Sequence, residues 1–275
     1  MKSFALIGYP LGHSMSGIIH RELFKISGIQ ADYTLMETAP EHLEKNFEQL
    51  KKLNGFNVTI PHKINIIPML DELSDRARLF GAVNTVDIKG SKATGHNTDC
   101  HGFLRALSMA DIELGGRVLL CGSGGVSRMF AFESVMAGAD LTIAVREADV
   151  PAAEEIRKEI KEKLDKDIKT ALLSDAEKGW DLIINGTPVG MYPNVNACPI
   201  NEDIILSSKA VFDAVYNPKE TVFVKTAKDA GLKYSNGLPM LVWQAAVAQE
   251  IWNDVHFEHQ DIKKVIDITQ EELDK

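Results

Sequence analysis

The sequence predicts an α/β protein built from two domains. Segments typical of strands and of helices alternate along most of the 275 residues, a pattern typical of mostly parallel sheets covered by helices. In the middle of the chain, residues 117–147 read as strand, glycine turn, helix and strand, which is one complete βαβ unit. The length is enough for one large domain or two ordinary ones.

The first hundred residues contain four strand-like and three helix-like segments. The predicted strands are FALIGY, ADYTLMET, NVTI and AVNTVDI, and the predicted helices are SGIIHRELFKISG and two segments near residues 40–52 and 64–79. We expect the strands to form one largely parallel sheet, because helix-like segments separate most of them.

A second unit begins near residue 102. Its predicted elements are the helix HGFLRALSMADI, the βαβ unit, an exposed charged helix over 151–168, the strands DLIIN, AVFDAV and LKYSN, and a last long helix, NGLPMLVWQAAVAQEIW. Pro239 suits the first turn of that last helix, where a missing backbone N–H costs nothing. Because this helix is apolar almost all round, we expect it to lie between other elements.

Composition limits the possible partners and compartment. The net charge of −9 argues against binding to nucleic acid or to an anionic membrane. No apolar run approaches the roughly 18 residues that span a bilayer, and the N-terminal FALIGYPLG reads as strand and loop rather than signal peptide. Three widely spaced cysteines show neither disulfide nor zinc spacing, which favours a cytoplasmic protein.

A glycine-rich turn follows the first strand of the βαβ unit and opens its helix. The residues are Gly122, Ser123, Gly124, Gly125 and Val126. Glycines let a pyrophosphate approach the backbone, and the helix N-terminus offers free N–H groups. Ser127 replaces the third glycine of the usual fingerprint and is still small. An ordinary tight turn is the alternative, but the strand–turn–helix context favours dinucleotide binding.

Eight sequence blocks resemble a known family. They are GYPLGHSMS (8–16), NVTIPHK (57–63), GAVNTV (81–86), GHNTD (95–99), GSGG (122–125), INGTPVGM (184–191), DAVYNP (213–218) and NGLPMLVWQAA (236–246). In this order, and nearly from end to end, they resemble the shikimate dehydrogenases, including the quinate/shikimate branch.

The resemblance implies a domain plan and a reaction. Residues 1–101, completed by C-terminal helices over 237–275, would form an α/β substrate-binding and catalytic domain, and residues 102–236 a Rossmann-like dinucleotide-binding domain. The reaction would be reversible hydride transfer between NADP(H) and the ring carbon of shikimate or 3-dehydroshikimate. The sequence leaves open whether the protein is a monomer or a homodimer.

Lys63 and Asp99 are the predicted catalytic pair. Interconverting a ketone and a secondary alcohol requires a group that gives or takes the proton of the oxygen. A partly desolvated lysine can exchange that proton and stabilise a developing alkoxide. In the family, NVTIPHK and NTD supply the lysine and the aspartate, and both blocks are intact here.

The resemblance also implies a substrate site of hydrogen-bonding side chains, which are Ser14, Ser16, Thr59, Asn84, Tyr216 and Gln244. Ser14 and Ser16 precede a helix, so they are either helix caps or ligands of the substrate carboxylate. Gln244 lies in an apolar helix and needs a polar partner, which is either protein or ligand. We interpret His13 and His62 as structural, because no metal-ligand spacing accompanies them, and we expect no metal.

Cofactor choice is the point at which the sequence departs most from its relatives. NADP-using members carry Asn-Arg-Thr and then a second arginine, whereas this chain has Val145, Arg146 and Glu147, with Val150 at the position of the second arginine. Arg146 can pair with a 2′-phosphate, but a carboxylate at Glu147 favours a free ribose. The cofactor use of the family favours NADP for this chain, with NAD as the alternative. The resemblance adds Thr187 and Gly237 to the cofactor-binding residues.

Five positions depart from the family pattern without removing a catalytic group: Gly17, Arg21, Cys100, Pro239 and Gln249. The leading function is therefore shikimate dehydrogenase, and a quinate or dual-substrate dehydrogenase is the near alternative. A catalytically silent homologue would be expected to lose Lys63 or Asp99. A folate or tRNA-linked reductase of similar architecture would lack the NVTIPHK and NTD blocks.

Overall fold

The computed structural model describes residues 1–12 and 14–275, so the prediction for His13 lies outside the described residues. The chain forms two compact units. The first contains Met1–Gly102 and Leu241–Lys275, and the second contains Phe103–Met240.

The first unit contains a six-stranded mixed sheet with the strand order β2-β1-β3-β5-β6-β4. Its strands are β1 (Lys2–Gly8), β2 (Ala31–Glu37), β3 (Gly55–Val58), β4 (Glu72–Leu73), β5 (Thr85–Lys89) and β6 (Lys92–His96). Its helices are α1 (Ser16–Ser27), α2 (Leu43–Leu50), α3 (His62–Asn65), α4 (Asp75–Phe80), the start of α5 (Asp99–Met109), most of α10 (Gly237–Asn253) and α11 (His259–Leu273).

The expectation of a largely parallel sheet is wrong at one side of this sheet. β1 pairs in parallel with β2 and β3, but β5 runs antiparallel to both β3 and β6. β6 was not predicted, because KATGH contains few branched residues. It forms a hairpin with β5 through a two-residue connection in which Gly90 adopts a positive φ of 65°.

The single helix predicted near residues 64–79 is also wrong. α3 ends at Asn65, a 3₁₀ turn and β4 follow, and α4 begins only at Asp75. Pro68 explains the break, because proline lacks the backbone N–H that a helix interior requires.

Both faces of the first sheet are buried. Along β1, Ala5 and Ile7 pack with α2 residues such as Phe47 on one face. Phe4, on the opposite face, packs with Phe24 of α1 and Trp252 of α10. This alternation is the two-residue period of a strand. The helix over 237–253 is not the last one, since the amphipathic α11 follows it.

The second unit contains a six-stranded sheet that is parallel throughout, with the strand order β12-β11-β10-β7-β8-β9. Its strands are β7 (Arg117–Cys121), β8 (Asp140–Val145), β9 (Lys169–Leu172), β10 (Leu182–Asn185), β11 (Ala210–Asp213) and β12 (Lys233–Ser235). The helices that lie wholly within it are α6 (Gly125–Met136), α7 (Val150–Leu164), α8 (Glu202–Leu206) and α9 (Val222–Asp229).

The four central strands of the second sheet, β11, β10, β7 and β8, are nearly continuous apolar runs, as expected for parallel strands buried on both faces. Phe223 of α9 packs on Leu119 and Val211 on one face, and Phe130 of α6 contacts Phe212 on the other. The carboxyl ends of β7, β10 and β11 therefore meet at one edge, where loops can carry a binding site.

Candidate active site

Lys63 lies in the first turn of α3, just after the loop that follows β3. Its Nζ is 2.6 Å from Oδ2 of Asp99, the first residue of α5. The side chains of Lys63 and Asp99 are 33% and 20% exposed, so the pair is reachable from solvent but partly desolvated. The structure thus brings together the two residues predicted to handle the proton.

The second carboxylate oxygen of Asp99 is held by Asn84. Nδ2 of Asn84 donates to Oδ1 of Asp99 at 2.9 Å, and Oδ1 of Asn84 accepts from the backbone N–H of Thr98 at 2.7 Å. Asn84 is buried, and a buried amide needs such partners. Asp99 is therefore oriented from one side by Asn84 and from the other by Lys63.

A buried polar chain supports Asn84 from behind. The Thr98 and Thr85 hydroxyl oxygens are 3.0 Å apart, and Nδ2 of Asn57 donates to the Thr85 hydroxyl at 3.0 Å and to the Asn84 carbonyl at 3.2 Å. Tyr33 donates to Oδ1 of Asn57 at 2.7 Å. These four supporting residues were not predicted. Asn57, Thr85 and Thr98 could have been found from the sequence, because each is a polar residue within the NVT, AVNT and NTD blocks.

Ser14 and Ser16 lie at the start of α1, and both are partly buried. The residue preceding the helix is Met15, whose side chain makes no capping bond, and the Ser14 hydroxyl accepts from the Ser16 N–H at 3.3 Å. Thr59 is also partly buried and lies directly after β3.

Gln244 has protein partners for both ends of its side-chain amide. Its Nε2 donates to the Leu241 carbonyl at 2.9 Å, and its Oε1 lies 3.4 Å from Nδ2 of Asn84. Gln244 therefore joins the Asn84–Asp99 cluster. His62 is buried, and its Nε2 is 2.6 Å from the Thr38 carbonyl, so its visible contact is with backbone.

Two of the departures from the family pattern have structural partners. Gln249 is buried in α10, and its Nε2 donates to the carbonyl of His20 at 3.0 Å. The Cys100 thiol is buried and donates to the Asn97 carbonyl at 3.1 Å. Gly17 and Arg21 lie on α1 and Pro239 in the first turn of α10.

The glycine turn of the second unit has the shape that a phosphate group needs. Gly122 adopts a positive φ of 100°, which favours glycine. Gly124 and Gly125 are exposed, and no atom lies close to where a side chain would project from Gly125. Gly124 precedes the twelve-residue α6 without any side-chain cap. The first N–H groups of α6 can therefore donate hydrogen bonds to a bound anion.

Ser127 allows the close packing that the third glycine of the fingerprint provides. It is buried on α6, and its hydroxyl donates to the Gly186 carbonyl at 3.2 Å. A side chain at Gly186 would collide with the Ser127 hydroxyl. Ser123 lies at the opposite side of the turn, 3.5 Å from the Asp149 carbonyl, and Val126 is partly buried in the first turn of α6.

Arg146 directly follows β8 and its side chain is 77% exposed. Its Nε donates to Oδ2 of Asp149 at 2.7 Å, and Asp149 raises the pKa of the guanidinium. Glu147 is exposed at the start of a 3₁₀ turn. The sequence pointed to Glu147 at this place, but the carboxylate that contacts Arg146 is that of Asp149.

The remaining predicted residues of this unit lie in the loops after β10 and β11 and at the start of α10. Thr187 donates to Oδ1 of Asn185 through its N–H at 3.0 Å and its hydroxyl at 2.6 Å. Tyr216 is partly buried, and burial raises the pKa of its phenol. Gly237 donates its N–H to the Val215 carbonyl at 3.0 Å, and its backbone lies too close to Ala214 for a side chain to fit.

The described residues contain no group of three or more His, Cys, Asp or Glu side chains that could hold a metal ion. Within the same part of the chain, every helix is too short or too polar to cross a membrane.

Comparison with known proteins identifies the family. Residues 6–86 match the family model described as the shikimate dehydrogenase substrate binding domain. The chain is 41% identical over 276 residues to the shikimate dehydrogenase (NADP(+)) of Methanocaldococcus jannaschii, with 96% of each chain covered. The chain belongs to the shikimate dehydrogenase family. The resemblance inferred from the eight sequence blocks is confirmed.

Solved shikimate dehydrogenases share the fold over nearly their whole length. The Thermus thermophilus structure, in complex with NADP(H) and shikimate, has a TM-score of 0.87 and 31% identity, covering 98% of this chain and 100% of that chain. The Listeria monocytogenes structure, in complex with shikimate and NAD, has a TM-score of 0.87 and 32% identity, covering 97% and 96%. The predicted α/β fold class is confirmed, and as a shikimate dehydrogenase family member the chain is an oxidoreductase.

Proposed function

We propose that this chain catalyses the reversible reduction of 3-dehydroshikimate to shikimate with NADPH, in the pathway to chorismate and the aromatic amino acids. The observation that carries the proposal is the ion pair between Lys63 and Asp99, at 2.6 Å, with Asn84 on the other oxygen of Asp99. The names of the curated relatives, which are NADP(+)-dependent shikimate dehydrogenases, support the substrate and the cofactor.

Lys63 handles the proton. Oxidation of a secondary alcohol removes a hydride from carbon and a proton from oxygen, and bound NADP⁺ supplies the hydride acceptor. As a neutral amine, Lys63 takes the hydroxyl proton during oxidation, and as an ammonium it gives a proton to the carbonyl oxygen during reduction. Its positive charge also stabilises the oxygen as negative charge develops there.

Asp99 keeps Lys63 in position and accepts a hydrogen bond from the reacting hydroxyl. Because Asn84 occupies Oδ1 and Lys63 contacts Oδ2, the carboxylate cannot rotate without breaking one of these bonds. A group held in this way needs no rearrangement when the proton moves.

Five of the six proposed substrate contacts belong to the same unit as this pair. Ser14, Ser16 and the start of α1 would bind the carboxylate, while Thr59, Asn84 and Gln244 would bind ring hydroxyls. Asn84 and Gln244 already belong to the Asp99 cluster. Tyr216 matches a family position that contacts the substrate carboxylate.

The second unit, residues 102–236 in the predicted domain plan, would bind the dinucleotide. The exposed glycines and the uncapped start of α6 fit a pyrophosphate. Gly122, Ser123, Gly124, Gly125 and Val126 would hold it. Arg146 would pair with the 2′-phosphate of NADP, and Thr187 and Gly237 would contact the other half of the cofactor.

Shikimate is favoured over quinate because both Ser14 and Ser16 are present. Quinate carries an additional hydroxyl on the carbon that bears the carboxylate and needs more room at this corner. The retained Lys63–Asp99 pair argues against a catalytically silent homologue. Three widely spaced cysteines support a reducing, cytoplasmic location.

The direct test is reduction of 3-dehydroshikimate by the purified protein with NADPH, with shikimate identified as the product. The Lys63→Ala variant, once its circular dichroism matches that of the wild type, serves as the negative control, because it lacks the proton-handling group. Absence of turnover in the wild type, under conditions in which it is folded, would refute the proposal.

A further inference from the structure

Asp213 is a buried carboxylate that the proposed chemistry does not use. It is the last residue of β11 and is 0% exposed. Its Oδ1 accepts from Nδ2 of Asn185 at 2.9 Å and from the N–H of Val215 at 3.0 Å, and its Oδ2 accepts from the Thr221 hydroxyl at 2.6 Å. An ionised carboxylate is costly to bury unless several donors satisfy it, and Asp213 has three.

The first donor links Asp213 to the glycine turn. Asn185 is the partner of Asp213 on the neighbouring strand β10. Since its amide nitrogen points to Asp213, its Oδ1 faces the next loop and accepts both the N–H and the hydroxyl of Thr187. The methyl group of Thr187 lies 2.5 Å from where a side chain would begin at Gly122. A shift of Asp213 would therefore move the Thr187 loop against the turn.

The second donor, the Val215 N–H, links Asp213 to the loop after β11 and to the start of α10. The bond from the Val215 N–H fixes the backbone directly before Tyr216. The Val215 carbonyl in turn accepts the N–H of Gly237. Thr221, the third donor, also caps α9 by accepting from the Val224 N–H at 3.2 Å, which anchors the far end of the loop.

We propose that Asp213 is the positioning residue of the dinucleotide site. It holds Thr187 beside Gly122 and fixes the backbone next to Tyr216 and Gly237, although its own side chain is buried. This inference rests on the proposed function, because it assumes that these four residues bind the cofactor and substrate.

The charge of Asp213 gives the proposal a second observable. Burial raises the pKa of Asp213 to about 6, so the group is ionised at neutral pH and gains a proton in mild acid. The titratable groups that face it are the thiols of Cys121 on β7 and of Cys198 in the loop before α8. Burial raises the pKa of both, so they stay neutral in this range. The groups contacting it from β10 and from the start of α9 are uncharged.

The test compares NADPH binding by the wild type and by Asp213→Asn, followed by NADPH fluorescence between pH 5 and pH 8. Asparagine has the same size as aspartate, but its amide NH₂ replaces one carboxylate oxygen. That NH₂ group would face the donors that now bond to Asp213. We expect the dissociation constant at pH 7.5 to rise at least about tenfold. Because the 2′-phosphate of NADPH also titrates at about pH 6, binding should weaken in both proteins below this pH, and we expect the loss to be steeper in the wild type than in the variant.

Ile205→Val is the matched control, because Ile205 is buried in the same unit but belongs to none of these hydrogen bonds. It should lower the melting temperature without changing NADPH affinity. A folded Asp213→Asn variant whose dissociation constant stays within about twofold of the wild type would overturn the proposal.

If Asp213→Asn does not fold, Thr221 gives an independent test. Thr221→Ser keeps the hydroxyl that bonds to Asp213, whereas Thr221→Val removes it. Weaker NADPH binding in the valine variant alone supports the proposal, and equal binding in both overturns it. A wild type that binds no NADPH would instead contradict the proposed function.

Discussion

Lys63 and Asp99 are 36 positions apart in the sequence, yet their side chains meet at 2.6 Å. Lys63 reaches this place because β3 ends before it and α3 begins at His62, which turns the next side chain toward the start of α5. Each residue alone would be an ordinary surface charge or helix cap. We expect their chemistry to arise from the contact between them and from the hydrogen bond that Asn84 donates to Asp99.

Replacing Lys63 with alanine should lower kcat by roughly 10²–10⁴-fold, the usual effect of losing a general acid–base group. Asp99→Asn should cause a similar loss, and the double variant should be little worse than either single one, because the two act as a unit. Steady-state kinetics would measure this. Lys92→Ala is the control, since Lys92 forms an exposed ion pair with Glu72 on the same unit. A near-normal kcat for Lys63→Ala would contradict the assigned role.

The two serines at the start of α1 give a second prediction at this scale. Replacing both Ser14 and Ser16 with alanine should raise KM for shikimate more than it lowers thermal stability. Among the described residues, the capping-type bond at this place runs from the Ser16 N–H to the Ser14 hydroxyl and is long at 3.3 Å, so little stability depends on it. Kinetics and melting curves on the same samples separate the two effects. Unchanged KM with a loss of about 1 kcal/mol per cap would show that the serines are helix caps only.

At the scale of elements, we expect the segment between β8 and α7 to decide the cofactor. Arg146 leaves the strand exposed, and Asp149, three residues later, pairs with it at 2.7 Å. A 2′-phosphate would have to compete with this carboxylate for the guanidinium. We therefore expect a weaker preference for NADP⁺ than in relatives with two arginines.

Two variants test this competition. Arg146→Ala should lower kcat/KM for NADP⁺ more than for NAD⁺, because only NADP⁺ carries the phosphate. Asp149→Asn should have the opposite effect, since it leaves Arg146 free to pair. The quantity to measure is the ratio of kcat/KM for the two cofactors. A ratio unchanged in both variants would show that Arg146 does not read the phosphate.

Some of these elements can be predicted from the sequence, and others cannot. The βαβ unit was predictable because β7 and β8 are continuous apolar runs and Gly122 marks the turn between β7 and α6. The β5–β6 hairpin was missed because β6 is a short, half-polar strand that carries little periodic signal. The break at Pro68 was missed because the segments on either side of it were predicted as one helix. Asp149 was missed because its contact with Arg146 depends on the 3₁₀ turn between them, and Asp213 because its partners Asn185 and Thr221 lie 28 and 8 positions away in the sequence.

At the scale of the whole molecule, the first unit carries a built-in sensitivity to acid. His20 is fully buried, its ring stacks on Tyr33 at 4.1 Å between centroids, and Nε2 of Gln249 donates to its Nδ1 at 3.2 Å. Burial lowers the pKa of His20 to about 3 from its ordinary 6.5. Because the unfolded chain binds the proton first, the stabilisation is complete above pH 6.5 and is lost as the pH falls toward 3.

Replacing His20 with glutamine should therefore flatten the dependence of the unfolding free energy on pH. Between pH 6 and pH 4, the slope should fall by up to about 1.4 kcal/mol per pH unit, the value for one proton. Denaturant unfolding at several pH values would measure it. His42→Gln, at an exposed position, is the control. Equal slopes for the wild type and His20→Gln would show that His20 is not the sensitive group.

The central claim is that this chain oxidises shikimate with NADP⁺ through Lys63 and Asp99. The most direct test is kcat/KM for shikimate and for quinate, each with NADP⁺ and with NAD⁺, on the wild-type protein. We expect shikimate with NADP⁺ to give the highest value, and shikimate to exceed quinate with either cofactor. A higher value for quinate with NAD⁺, or no turnover of shikimate with either cofactor, would contradict the account.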